Sequence, residues 1–188
     1  RPPRSTLFPY TTLFRSYDIT ILIHNNENFA LTTGQITATT KKGKEMYGFP
    51  NGKTEGDINI GELVLALNPS FFAKGYSSDP TQLTDIIKEG IKHKGCSVIE
   101  ILQICPTYNK EGSKDLIDSK IKKVKTTKDI NTARKYISDS KNIYTGVIYQ
   151  NKEIKDYYSN LSIRKNIKTE LVQEVKTHSI SKIVNNMS

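Results

Sequence analysis

Cysteine is scarce in this chain: Cys96 and Cys105 are the only two in 188 residues. Two thiols exclude a disulfide-built scaffold and point to a reducing compartment, the cytoplasm. Long hydrophobic runs are missing as well. No stretch approaches the roughly 20 apolar residues that a bilayer-spanning helix needs, so no membrane partner is expected. Arginine stripes interleaved with aromatics are absent too. The formal charge is +9, but the lysines are scattered among asparagines and isoleucines. The charge-rich stretch Lys120–Lys128 reads as a solvated helix face or linker, and no nucleic-acid partner is expected. No internal repeat is present.

The first residues need separate treatment. A secretory leader is not expected there, because Pro9, Thr11 and Thr12 interrupt any apolar core and Arg15 follows. Thr6 to Ser16 instead match, codon for codon, the translation of a sequencing-library adapter. Residues 1–16 are therefore expected to be an artefactual leader that contributes no strand. The natural chain is expected to begin near Tyr17, inside a domain.

From Tyr17 onward the chain reads as a run of α/β units. Tyr17–His24 carries Ile19, Ile21, Leu22 and Ile23 and predicts a buried strand. Asn25–Asn59 is long, polar and rich in glycine; a loop of that length inside a compact domain is functional or disordered. Ile60–Leu67 has helical spacing at Leu63, Val64 and Leu67, with Asn59 as the cap. Ser70–Gly75 predicts a strand. Asp79 and Pro80 supply an N-cap and a first-turn proline for a helix over Thr81–His93, with Leu83, Ile86, Ile87 and Ile91 on one face. Cys96–Leu102 is a further buried strand. The alternation predicts an α/β fold with a mostly parallel, doubly wound sheet. Beyond Cys105 the pattern predicts helices over Lys114–Val124 and Ile130–Ser138, a strand over Ile143–Tyr149 and a terminal helix over Glu170–Val184. The expected divisions are 1–16, 17–110 and a C-terminal extension, 111–188.

The chemistry concentrates where the first strand ends. His24-Asn25-Asn26-Glu27-Asn28-Phe29-Ala30-Leu31-Thr32-Thr33-Gly34-Gln35 sets amides and hydroxyls at a strand's carboxyl end, where open α/β sheets bind ligands. Amide oxygens there suit a hard cation such as Mg²⁺. By spacing alone, Asn25 and Asn26 also make an ordinary turn. The frame resembles the Asp-Asn-x-x-Tyr-Gly-Leu-Thr-x-Gly-Gln motif of the beta subunits of 2-oxoacid:ferredoxin oxidoreductases. Further pieces appear in the family's order. Ser70-Phe71-Phe72-Ala73-Lys74-Gly75-Tyr76-Ser77-Ser78-Asp79-Pro80 is similar to its Phe-Val-Ala-Arg-Gly-Phe-Ser-Gly-Asp-Pro. Ile87 to Gly95 matches Ile-Lys-Glu-Ala-Ile-Lys-His-Lys-Gly, and Gln103 to Lys110 is similar to Gln-Pro-Cys-Val-Thr-Phe-Asn-Lys. The resemblance covers Tyr17 to Lys110 and fades after it.

The resemblance implies a partial thiamin-diphosphate-binding domain of the pyrophosphate type. It implies Asn26 as a side-chain Mg²⁺ ligand, and Asn28 as a ligand through its backbone carbonyl. Phe29, Leu31 and Thr32 would bind thiamin diphosphate, and Leu31 and Thr33 the 2-oxoacid. Thr33 stands where some members carry a lysine, which puts a dicarboxylate preference in doubt. Cys105 would be the fourth ligand of a four-iron iron–sulfur cluster; by itself it reads as a buried free thiol. Cys96 reads as a small core residue. His93 reads as a cap at a helix C-terminus, where the dipole favours a cation, and not as a catalytic group; His24 reads as support for the site. An alpha-subunit partner would carry the activating glutamate, so no catalytic residue is expected here. Coenzyme A, a 2-oxoacid and ferredoxin complete the implied partners. The upstream Gly-Asp-Gly-Asp segment and the other cluster cysteines are not in this chain, which predicts a fragment that is inactive alone. Two rival readings stand beside this one. One is a thiamin-diphosphate enzyme of the decarboxylase or acetolactate-synthase type, and the other is a non-enzymatic basic binding module.

Overall fold

The structure, a computed structural model, describes residues 16–108, 114–164, 167 and 169. The chain divides into two compact units, Arg1–Tyr157 and Tyr158–Ser188. The first unit is built on a five-stranded sheet. Its elements in chain order are β1 (Ile19–Asn25), β2 (Asn28–Phe29), β3 (Gln35–Ile36), α1 (Ile60–Ala66), β4 (Phe71–Tyr76), α2 (Pro80–Lys92), β5 (Cys96–Leu102), α3 (Lys114–Lys120), β6 (Ile121–Lys123), α4 (Ile130–Ile137) and β7 (Ile143–Gln150). Described residues of the second unit form two 3₁₀ turns, Tyr158–Asn160 and Ser162–Arg164.

The sheet order is β1-β5-β4-β7-β6. β1 and β4 flank β5, both parallel to it, with β1 at one edge. β4 pairs antiparallel with β7, and β6 runs parallel to β7. The mostly parallel α/β architecture expected from the alternation is therefore present, with a reversed pair added at one side. β2 and β3 form a separate antiparallel ribbon inside the long polar stretch.

Local signals set the helix starts. The Asn59 side chain accepts the Glu62 amide and opens α1, and Asp79 accepts the Gln82 amide and opens α2 with Pro80 in its first turn. Strand alternation then feeds two cores. Phe72, Val98 and Ile148 pack with Val64 and Leu65 of α1 and Ala133 of α4. Phe71, Ala73, Ile99, Ile101 and Val147 pack with Ile86 of α2 on the other face. Phe71 and Phe72 are both fully buried because β4 is covered on both sides.

Four sequence expectations need correction. The first strand forms but is not buried: as an edge strand, β1 leaves Ile19 40% and Leu22 41% exposed. The helix over Lys114–Val124 stops at Lys120, and Ile121–Lys123 is strand β6. No residue of α3 is buried, so nothing holds the helical pattern beyond that point, whereas β7 offers a free edge to pair with. In α1 the inward residues are Val64 and Leu65, while Leu63 is 54% exposed. In α2, Ile91 is 66% exposed. Gly90 takes the inward place, where an added Cβ would lie 2.9 Å from Ile99. Its carbonyl accepts the hydroxyls of Ser97 and Thr20. The expected helix over Glu170–Val184 lies outside the described residues. So do residues 1–15 of the expected leader. Ser16, its last residue, is buried, and its carbonyl accepts the Tyr157 amide at 2.9 Å.

Candidate functional site

The three parallel strands finish level. Asn25 of β1 and Tyr76 of β4 both lie opposite Leu102 of β5, so their carboxyl ends form one rim. Residues 26–59 rise from that rim. Asn25 anchors them. Its Nδ2 donates to Glu100 at 3.0 Å, and its Oδ1 accepts the Glu27 amide at 3.2 Å and the Thr39 hydroxyl at 2.8 Å. Glu100 is buried and also pairs with Lys74 at 3.0 Å. Asn25, Glu100 and Lys74 thus make a polar rung across β1, β5 and β4. Sequence reasoning misses Glu100 and Lys74. The one visible signal is a glutamate inside the apolar run Val98–Leu102.

The turn after Asn25 is tight. Glu27 sits in the left-handed region at φ 58°. The Asn26 side chain accepts the Asn28 amide at 3.2 Å, closing a short side-chain turn. Asn28 is 3% exposed. Its Nδ2 donates to the Asn26 carbonyl at 2.8 Å, while its Oδ1 is buried with no hydrogen-bond partner. The structure thus adds a side-chain feature at Asn28 to the expected carbonyl role. β2 and β3 then frame a turn closed by the Gly34 amide on the Phe29 carbonyl at 3.0 Å. Thr33 and Gly34 both have positive φ there. At the tip, Leu31 is 99% exposed and Phe29 58%. Thr32 and Thr33 are exposed beside them. The structure therefore brings Asn26 and Asn28 together at the rim and sets Phe29, Leu31, Thr32 and Thr33 on a projecting turn.

A cavity of about 570 Å³ opens beside this loop, lined by Glu27, Lys41, Lys42, Lys44, Gln103 and Lys120 among others. Burial pushes the Glu27 carboxyl above its usual range, against the pull of Lys41 and Lys44. Lys41 pairs with Asp57 at 2.7 Å. That hydrogen bond holds Asp57 below the usual carboxylate range. Burial opposes the Lys41 charge, but the bond to Asp57 and the nearby Glu27 and Glu100 raise its pKa overall.

Cys105 is buried beyond the end of β5. Cys96 is buried at the strand's start, and burial pushes its thiol up to about 11. They lie off opposite ends of β5, whose seven residues span ~20 Å at 3.3 Å per residue. Among the described residues no group of three or more His, Cys, Asp or Glu is arranged to hold a metal. One thiolate does not build a four-iron cluster, and the described residues do not fit that group by themselves. Oxygen donors are a different case. The unpartnered Asn28 Oδ1, with Asn26 Oδ1 and the Asn28 carbonyl, is the donor chemistry Mg²⁺ takes.

His93 sits at the C-terminal cap of α2, as expected. Its ring is buried against Phe71 with centroids 5.3 Å apart. Burial pushes its pKa down. Exposed His24 shares a hydrogen bond with Gln103 at 3.0 Å, extending the β1–β5 contact at the rim.

The parallel α/β sheet with the asparagine turn at its rim lies in a stretch of sequence similar to thiamine-pyrophosphate enzymes. Residues 10–101 match the family model "Thiamine pyrophosphate enzyme, C-terminal TPP binding domain". Residues 105–166 match the family model for the C-terminal part of the pyruvate ferredoxin oxidoreductase beta subunit. The chain is 39% identical over 110 residues to the 2-oxoacid:ferredoxin oxidoreductase subunit beta of Saccharolobus solfataricus, covering 58% of this chain and 36% of that one. It is 32% identical over 158 residues to the protein of the same name from a Sulfolobus species, covering 76% and 52%. Its fold matches a solved 2-oxoglutarate:ferredoxin oxidoreductase from Magnetococcus marinus with a TM-score of 0.76, at 20% identity, over 95% of this chain and 61% of that one. That structure holds 2-oxoglutarate, coenzyme A and succinyl-CoA. In sequence, the chain is similar to the beta subunits of 2-oxoacid:ferredoxin oxidoreductases, in line with its motifs. It spans about a third to a half of the length of these two curated relatives. No helix among the described residues is long and apolar enough to cross a membrane.

Proposed function

We propose that this chain supplies the diphosphate-holding side of a 2-oxoacid:ferredoxin oxidoreductase, working in the cytoplasm with an alpha subunit. The observation that carries the reading is the buried, unpartnered Asn28 Oδ1 in the turn at the rim of the sheet. Asn26 and Asn28 would hold Mg²⁺ against the diphosphate. Thiamin diphosphate, when bound, supplies the decarboxylation chemistry by which a 2-oxoacid becomes an acyl group for coenzyme A while ferredoxin is reduced. The chain's own residues bind and orient. Phe29, Leu31 and Thr32 offer an exposed apolar and hydroxyl surface to the thiamin, with Leu31 and Thr33 facing the 2-oxoacid. An exposed leucine at a turn tip has the shape of a contact made with a ligand or partner. The activating glutamate is assigned to the alpha partner. Cys105 is assigned as one thiolate of an iron–sulfur cluster whose remaining ligands come from elsewhere.

The match of residues 105–166 to the ferredoxin oxidoreductase model supports this branch over a decarboxylase or acetolactate-synthase relative. The test is a chimera. Residues 17–108 replace the aligned segment of the Saccharolobus solfataricus beta protein, which is co-expressed with its alpha partner. We expect coenzyme-A-dependent reduction of a viologen dye by a 2-oxoacid. A folded, cofactor-loaded chimera with no 2-oxoacid-dependent reduction would sink the proposal.

A further inference from the structure

Lys53 is 5% exposed, and its ammonium takes part in none of the ion pairs among the described residues. A lysine buried so deeply without a carboxylate is unusual. Its Nζ donates to the carbonyls of Thr37 at 3.1 Å, Ala38 at 3.0 Å and Thr40 at 2.9 Å. An ammonium has three N–H donors, and each finds an acceptor. The backbone is fixed as well. The Lys53 amide donates to the Lys44 carbonyl at 3.0 Å, and the Lys53 carbonyl accepts the Gly43 amide at 2.8 Å.

The turn gathered around this charge reaches the asparagine loop directly. With the carbonyls of residues 37, 38 and 40 drawn to Lys53, the hydroxyls of Thr39 and Thr40 point to the rim. Thr39 donates to Asn25 Oδ1 at 2.8 Å, and Thr40 donates to the Glu27 carbonyl at 2.6 Å. Thr40 is fully buried, and its hydroxyl also accepts the Thr37 amide at 2.8 Å. Glu27 holds a left-handed φ of 58°, which a non-glycine residue keeps only when its surroundings impose it. The Thr40 bond to its carbonyl is one of those constraints.

We propose that Lys53 is a positioning residue whose ammonium fills a three-carbonyl cation cage, and that the cage sets the Thr37–Thr40 turn that shapes the Asn25–Asn28 loop. With the side chain shortened, the cage takes a free ammonium or potassium ion. The inference goes beyond the cofactor reading and is tested with no cofactor present, so either can fail without the other.

Amide hydrogen exchange on the full 188-residue chain, read by NMR, is the measurement. Lys53→Met keeps the stem and removes the charge. Hydrogen bonds to a charged group are each worth enough to change a local opening equilibrium roughly tenfold or more. The Thr37 and Thr40 amides, and the Ile58 amide that donates to the Ala38 carbonyl at 2.9 Å, should therefore exchange about 10- to 100-fold faster. The Glu27 and Asn28 amides should do the same, while Val98 in the central strand stays as protected as before. In Lys53→Ala, ammonium chloride should restore protection at Thr37, Thr40, Glu27 and Asn28. Tetramethylammonium chloride at equal ionic strength, which donates no hydrogen bond, should not. A purely packing role for the side chain gives no such ion-specific rescue. The proposal is overturned if Lys53→Met exchanges like the native chain, if the loss stops short of Glu27 and Asn28, or if Lys53→Ala ignores ammonium. Should Lys53→Met fail to fold, Lys53→Ala decides. Recovery in ammonium alone supports the cage, and no recovery refutes it.

Discussion

Removing the ammonium of Lys74 should be among the costliest single changes at the rim. Its partner Glu100 has a side chain only 5% exposed, and Lys74 itself is 19% exposed. Lys74→Met keeps the aliphatic stem and leaves a carboxylate in the sheet face. Removing one partner of a buried pair costs about 3–5 kcal/mol. Two features place this site lower. Water reaches part of Lys74, and Glu100 keeps the Asn25 amide at 3.0 Å. The expected cost is therefore about 2–3 kcal/mol. Glu100→Gln should cost only about 1 kcal/mol, because it keeps the Asn25 contact and leaves a cation that can reach water. The double variant should be more stable than the sum of the single losses by at least about 1 kcal/mol, since no unpaired charge remains. Urea unfolding monitored by circular dichroism measures this. With a slope of roughly 2 kcal/mol/M, the Lys74→Met midpoint should fall by about 1 M. Strictly additive losses, or a Lys74→Met shift within error, would refute the claim that Glu100 is a buried charge dependent on Lys74.

Two other perturbations separate causes that look alike. Gly48 and Gly52 both have φ near +80°, but an added Cβ meets nothing within 4 Å at Gly48 and lies 2.5 Å from the Gly43 carbonyl oxygen at Gly52. Gly48→Ala should cost about 1 kcal/mol and Gly52→Ala about 2–3 kcal/mol; equal losses in thermal unfolding would contradict the close approach. The Cys96 thiol, raised from 9.0 to about 11 by burial, stays protonated in the folded chain at a pH where the unfolded chain ionises. Its contribution to stability is complete below pH 9 and is lost as pH rises towards 11. Cys96→Ala should flatten that part of the stability–pH curve, and an unchanged slope would place the thiol in water.

Short-range physics made much of this fold readable. Asn59 and Asp79 announce their helices because a side-chain oxygen meets an amide three residues on, and β5 begins and ends where its apolar run does. What escaped depends on partners distant in sequence. Ile121–Lys123 looks helical until β7 offers an edge, and neither the antiparallel entry of β7 nor the inward turn of Gly90 has a local signature. At the rim, the motif showed where Asn26 and Asn28 would gather. It could not show that the Asn28 amide is buried with one oxygen unpaired, or that Lys53 closes the turn behind it. Each is settled by burial, which spacing alone does not reveal.

Under the proposed function, Asn26 and Asn28 would hold Mg²⁺ and the cofactor diphosphate at the rim of the sheet. The most direct test of this is titration of thiamin diphosphate into the chimeric beta protein, assembled with its alpha partner, with Mg²⁺ present and then chelated. The account predicts binding that depends on Mg²⁺ and weakens about 10- to 100-fold in both Asn26→Ala and Asn28→Ala, the range seen when a metal site loses a supporting group. Thr33→Ala, on the exposed turn, should bind the cofactor as the parent does. Affinity unchanged in both asparagine variants, or unaffected by chelation, would contradict the account.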